Sequence, residues 1–175
     1  MRRNLYFFLI FTLGPVLGAC MAFSPSEKPL NTVPMVAVGG GPLAEWGDKE
    51  PGGLWIASEE KKELLASRRN KDANLPGRVP AVPEIDFSEY GVLLIWMGRQ
   101  PTGGFALELM ADEAEIEKRT AVVPVRWIEP QKGAMVIQMV TNPFLSIRIA
   151  KGGFDQIAVV DPNGVSRVVV KTMEK

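Results

Sequence analysis

The sequence predicts an α+β fold: a mainly antiparallel β-sheet domain of six or more strands with one N-terminal helix. Three observations predict it. Beyond residue 90, apolar runs of strand length follow one another, separated by short turns rich in Gly, Pro and Asn. Ahead of them, one segment carries the end signals of a helix. The composition supports a real core: 46% hydrophobic residues, with eight Phe and four Trp, in a chain of 175 residues that suits one domain. Other counts exclude functions. Twenty basic residues balance twenty acidic ones, so the chain lacks the cationic excess of a non-specific nucleic-acid binder, and no nucleic-acid partner is expected. With no His and a single Cys, neither Ser–His–Asp nor Cys–His catalysis nor an intrachain disulfide is available.

Residues 1–19 have the order of an export signal. Arg2-Arg3 precede the apolar run Leu5–Leu13, and small residues follow at Gly18-Ala19. Cys20, the only thiol, stands directly after Leu17-Gly18-Ala19. This resembles the lipobox of bacterial lipoproteins, and the resemblance implies thioether lipidation of Cys20 after cleavage before it. The alternatives are an ordinary export signal of a plain secreted domain and an uncleaved membrane anchor, since no charge occurs between Arg3 and Glu27; Gly14-Pro15 interrupts such a span. Residues 20–32 read as a lipidated tether and residues 33–175 as a single domain. The expected partner at this end is a membrane, reached through the lipid. The expected location is the bacterial cell envelope: the outer membrane, facing the periplasm, if the source is Gram-negative, because Met21 rather than Asp follows the Cys.

Within the domain, Pro34–Val38 reads as a strand closed by Gly39-Gly40-Gly41, and Leu54–Ala57 as a second strand. Ser58 is an N-cap candidate. Glu59 and Glu60 in the first turn and Arg68 and Arg69 in the last suit a helix dipole over residues 58–69. A loop rich in Pro and Gly covers residues 70–84. Val92–Met97 is uniformly apolar, as in a central strand buried on both faces, and Phe105–Met110 alternates as its expected hairpin partner. Thr120–Ile128 is a strand in which Pro124 demands an edge or a bulge. Met135–Thr141 and Phe144–Ala150 follow, the latter half-buried. Phe154–Val160 and Val165–Lys171 form a C-terminal hairpin around Asp161-Pro162-Asn163-Gly164.

Candidate chemistry is sparse. Gly98-Arg99-Gln100-Pro101-Thr102-Gly103-Gly104 has three glycines and a proline in a short connection. It is either a plain hairpin turn or a presented loop, with Arg99, Gln100 and Thr102 as donors and Phe105 as an anchor. Asp112, Glu113, Glu115 and Glu117 read as a solvated turn, without the spacing of a calcium loop. Asp86 starts a turn or caps a short helical turn, with Ser88 as the second candidate. Met97, Met110, Met135 and Met139 are assigned to the core. No metal and no cofactor is expected.

Four ordered segments resemble the family named for the C-terminal region of PrcB, a protease-complex subunit. They are Ile85-Asp86-Phe87-Ser88; the strand Val92–Met97 running into Gly98-Arg99-Gln100-Pro101-Thr102-Gly103-Gly104-Phe105; Glu129-Pro130-Gln131-Lys132-Gly133; and Thr141-Asn142-Pro143-Phe144. The similarity spans about residues 54–150. Phe105 replaces the commoner Tyr. The resemblance implies an exported binding or accessory protein without catalysis, a protein partner such as an envelope protease, and partner contacts at Arg99, Gln100, Pro101, Thr102, Gly103, Gly104, Phe105, Asn142, Pro143 and Phe144. Gln100–Phe105 also resembles the Asn-Pro-Thr-Thr-Gly-aromatic loop of chagasin-like peptidase inhibitors. Their second, Gly-rich loop has a counterpart only at Lys151-Gly152-Gly153, and their Arg-Pro-aromatic loop has none.

Overall fold

The computed structural model describes residues 31–42, 49–63 and 84–172. Cys20, the export signal, the tether up to residue 30, the helix beyond residue 63 and the loop over residues 70–83 lie outside the described residues. Nine strands form one sheet: β1 (Thr32–Gly41), β2 (Gly52–Ile56), β3 (Tyr90–Trp96), β4 (Ala106–Leu109), β5 (Glu113–Glu117), β6 (Thr120–Ile128), β7 (Phe144–Ala150), β8 (Gln156–Val160) and β9 (Ser166–Lys171). Their spatial order is β2-β3-β7-β1-β5-β6-β8-β9, with β4 also on β6. The two ends of this order meet. Gly53 of β2 lies so close to β9 that a Cβ there would come within 2.8 Å of Val170. The sheet therefore nearly closes into a barrel.

Its interior is filled by inward residues of every wall: Leu93 and Ile95, Val123 and Val125, Ile147 and Ile149, Ile157 and Val159, all at 0% exposure. Each such side chain contributes about 1.5–3 kcal/mol by leaving water. Trp55 meets Phe154 edge to face at 6.0 Å. Val92 turns the other way and joins Ile56 and Ile85 in a small outer cluster. That explains the unbroken apolar run of β3, which is buried on both faces as its sequence indicates.

The partnership expected for β3 is different in the structure. β3 lies between β2 and β7, pairing Leu94 with Leu54 and with Ser146. β4 pairs instead with β6, where Glu108 opposite Arg126 forms an exposed ion pair at 3.0 Å. A strand buried on both faces needs apolar neighbours along both edges. β4, with its charged outer face, suits a solvated wall. Gly98–Gly104 thus crosses between walls and closes no hairpin. The sheet is also mixed, because β6 and β8 run parallel from Thr120↔Gln156 to Pro124↔Val160.

β4 and β5 act as one interrupted strand along β6. Met110 N–H donates to Pro124 O at 3.0 Å, so the donor that Pro124 lacks falls where β4 breaks off. The irregularity expected at Pro124 lies in its partner. The acidic cluster is strand β5 rather than a turn, with Glu113, Glu115 and Glu117 on the solvent face and Ala114 buried. Gly39–Gly41 continue β1 past a bulge, because a side chain at Gly41 would press on the Phe144 ring at 3.2 Å. Residues 59–63 are helical, with Ser58 Oγ accepting from Lys61 N–H at 3.4 Å. β8 and β9 form the expected hairpin, but only Gly164 has positive φ, +76°. Asp161 Oδ1 accepts from the N–H groups of Asn163 and Val165, which holds the turn without a left-handed Asn163.

Candidate functional site

Loops that are far apart in sequence meet at one end of the barrel. Met97 N–H donates to Pro143 O at 2.8 Å, Arg99 N–H to Lys49 O at 3.0 Å, and Asn142 N–H to Pro42 O at 2.9 Å. Gln100 and Thr141 exchange two main-chain bonds, 2.8 and 3.0 Å, and Gly103 N–H donates to Ile137 O at 2.8 Å. Thr141 Oγ1 adds a bond to Thr102 O at 2.8 Å. Residues 100–103 and 137–141 therefore run antiparallel as an irregular ribbon.

Two glycines make the ribbon possible. Gly98 has φ +79°, and a Cβ there would sit 2.5 Å from Lys49 O. Gly104 has φ +87°, and a Cβ would sit 2.9 Å from Val136 and 3.0 Å from Pro130. Neither the left-handed backbone nor the space admits a side chain. Gly103 differs: its φ is not positive and its nearest contacts are at 3.6 Å.

The ribbon changes the roles expected of the site residues. Gln100 is half-buried and donates its amide to Met97 O at 3.3 Å. Thr102 donates to Gly103 O at 3.2 Å. Both side chains thus brace the loop. Phe105 is half-buried, and Asn142, Pro143 and Phe144 are buried beneath the ribbon. Asn142 Oδ1 has no hydrogen-bond partner there. Arg99 and Pro101 remain exposed. The larger presented surface is one the sequence reading placed in the sheet and core. Met135–Val140 is not a ladder strand. Met135 is fully exposed, Ile137 73%, Val140 58% and Met139 46%. The apolar run that suggested a strand was the available signal, but an apolar run alone does not say whether it is covered.

Beside the ribbon, a shallow cleft of about 430 Å³ is lined by Met97, Gln100, Trp127, Glu129 and Arg167 among others. Trp127 Nε1 is buried without a partner. Arg167, on the wall of the cleft, pairs with Asp161 at 2.7 Å. Burial pushes the Asp161 carboxyl up, but the N–H groups of Val165 and Asn163 and the Arg167 guanidinium outweigh it, and its pKa falls below 3.8. Among the described residues no group of three or more Cys, Asp or Glu could hold a metal, and no helix is long and apolar enough to cross a membrane.

The opposite end carries β1's start, the β5–β6 turn and Lys151-Gly152-Gly153. Lys151 N–H donates to Glu89 O at 2.7 Å, its ammonium to the Ala57 and Phe87 carbonyls. The Gly-rich segment thus faces away from Gln100–Phe105.

Residues 92–150 match the family model described as PrcB C-terminal. The match runs from β3 to the end of β7 and includes both halves of the ribbon; Ile85–Ser88 precede it. No curated protein and no solved structure matches the chain.

Proposed function

We propose that this chain is an exported, lipid-anchored, non-catalytic accessory protein of the bacterial envelope, and that the ribbon end of its barrel binds a protein partner. The observation that carries the reading is the uncharged stretch Met135–Val140, held out into water by Gly103 and Thr141. Exposed apolar side chains presented together on a braced loop mark an interaction surface. The family match supports a role at a protease complex. The lipid anchor rests on Cys20 and its preceding residues.

The geometry also supports an orientation for that surface. β1 starts at Thr32, paired with Glu115 at the far end, and reaches the ribbon end at Gly41, paired with Phe144. Its ten residues at about 3.3 Å each separate the tether from the ribbon by roughly 30 Å. A domain tethered through residue 31 would carry Met135–Val140 at the end remote from the tether, which supports a protein rather than the bilayer as its partner. A chagasin-like inhibitor would need Lys151–Gly153 on the same face as Gln100–Phe105, and the barrel puts them at opposite ends.

Affinity capture from the native envelope tests the reading. Ile137→Asp and Met135→Asp should each weaken retention of a stoichiometric partner by about tenfold or more, as for an interface anchor. Melting temperature should not change, because both side chains are exposed. Unchanged retention in both variants would overturn the surface assignment. Cys20→Ser should abolish acyl labelling; a mature-sized, membrane-bound, still-labelled variant would overturn the anchor.

A further inference from the structure

The segment Met135–Val140 is an apolar run outside the sheet, with one Gln and no charge. Val136 turns inward against Gly104 and is half-buried, while Met135, Ile137, Gln138, Met139 and Val140 are exposed. On the inner side, Ile137 O accepts from Gly103 N–H. Where the chain is extended, the residues flanking Ile137 direct their main-chain groups to the opposite side. There Val136 O accepts only the side-chain amide of Gln138, at 3.2 Å. The main-chain N–H groups of Val136 and Gln138 have no partner among the described residues. No charged residue lies between Lys132 and Arg148 to discourage pairing along this edge.

We propose that the outer edge of Met135–Val140 pairs main chain to main chain with an extended, uncharged, apolar segment of a partner protein, which supplies the strand that this ribbon lacks. The proposal rests on the protein-binding reading above and names its mode. Strand addition to an open edge draws affinity from backbone hydrogen bonds and specificity from alternate side chains. Here Met135, Ile137 and Met139 would cover the alternate apolar residues of the incoming segment. A lipid surface fits less well, because the tether starts at the far end of β1 and a single cation, Lys132, adjoins the stretch in sequence.

The test uses a library of short random peptides displayed against the full chain, with Gln138→Pro and Gln138→Ala as the discriminating variants. Proline at 138 removes an outward N–H while leaving the exposed apolar side chains and the Gly103–Ile137 bond in place. Selected peptides should be apolar at alternate positions. Gln138→Pro should weaken them about tenfold or more, Gln138→Ala less than about threefold, and N-methylation of alternate peptide amides should abolish binding. Equal melting temperatures of the two variants establish that the fold is intact. The proposal is overturned if no such peptides are selected, or if N-methylation and Gln138→Pro have no effect. It is also overturned if the chain instead forms a dimer that Gln138→Pro dissociates, or binds phosphatidylethanolamine–phosphatidylglycerol vesicles through Ile137. An envelope partner lost in Ile137→Asp but kept in Gln138→Pro would leave the surface assignment standing and remove the strand pairing.

Discussion

The two ends of the barrel close in different ways. At the β1-start end, β5–β6 and β7–β8 are joined by short connections whose polar groups are spent inward, and the longer link from β2 to β3 also leaves this end. The two-residue turn Lys118-Arg119 joins β5 to β6, Arg119 pairs with Asp155 at 2.8 Å, and the Lys151 ammonium caps two carbonyls. At the other end, long loops lie against one another, and their polar groups brace a stretch of apolar side chains that stays in water. Among the described residues, the first end presents no such stretch. The other uses Gly98 and Gly104 to hold a surface that adds nothing to the core, and a fold retains such a surface at the expense of solubility.

If that contrast is right, the two ends respond differently to substitution. The largest effect is expected at Gly98 and Gly104. Gly98→Val and Gly104→Val each combine a positive φ with a Cβ closer than 3.0 Å to a neighbouring atom. Each should cost about 2–4 kcal/mol in denaturant unfolding. Gly103→Ala should stay within about 0.5 kcal/mol, since its backbone and surroundings admit a Cβ. Equal costs at Gly103 and Gly104 would break the account of the ribbon.

Acid is the next probe. The native pKa of Asp161 lies below its ordinary value of 3.8, so its stabilisation is fully present above that value and disappears as pH falls through the native pKa. A titration of stability below pH 4 should show this loss, and Asp161→Asn should flatten it while lowering stability at neutral pH. Asp86, at the closed end, is also lowered, chiefly by the Ser88 hydroxyl and then by the Ser88 N–H. It is solvent-exposed, so Asp86→Asn should change the acid limb less.

The smallest effect is a gain. Lys118 and Arg119 have φ +47° and +68°, the left-handed pair of a two-residue hairpin turn. Lys118→Asn should stabilise the protein by about 0.5 kcal/mol in the same unfolding measurement, because Asn tolerates that region better. A loss would show that Lys118 does more than turn the chain.

Much of the sheet was legible from residue order alone, and the misreadings share a cause. Leu93 and Ile95 announced a buried strand, and Asp161-Pro162-Asn163-Gly164 announced a hairpin, because burial pattern and turn chemistry are local. The β3–β4 hairpin was misread because Gly98–Gly104 has the length and composition of a hairpin turn. Nothing in those residues says that Leu54 and Ile147 offer better neighbours. The site was half legible. Gly98 and Gly104 were visible as a shaped loop, whereas Gln100, Thr102, Asn142 and Phe144 gave no sign that they would be turned inward.

What this sequence determined by itself is most of the strands, the tight turn before β9, and the absence of the imidazole and paired thiols on which much catalysis depends. Those follow from side-chain periodicity, from turn residues and from composition, which act over a few positions or none. Only the tertiary structure decided which strands pair, that β6 and β8 run parallel, and that Met135–Val140 stands in solvent beside Gly103. Pairing is a choice among distant partners of similar apolar character. It is settled by how all the walls together fill one interior, a quantity that no short stretch of chain contains.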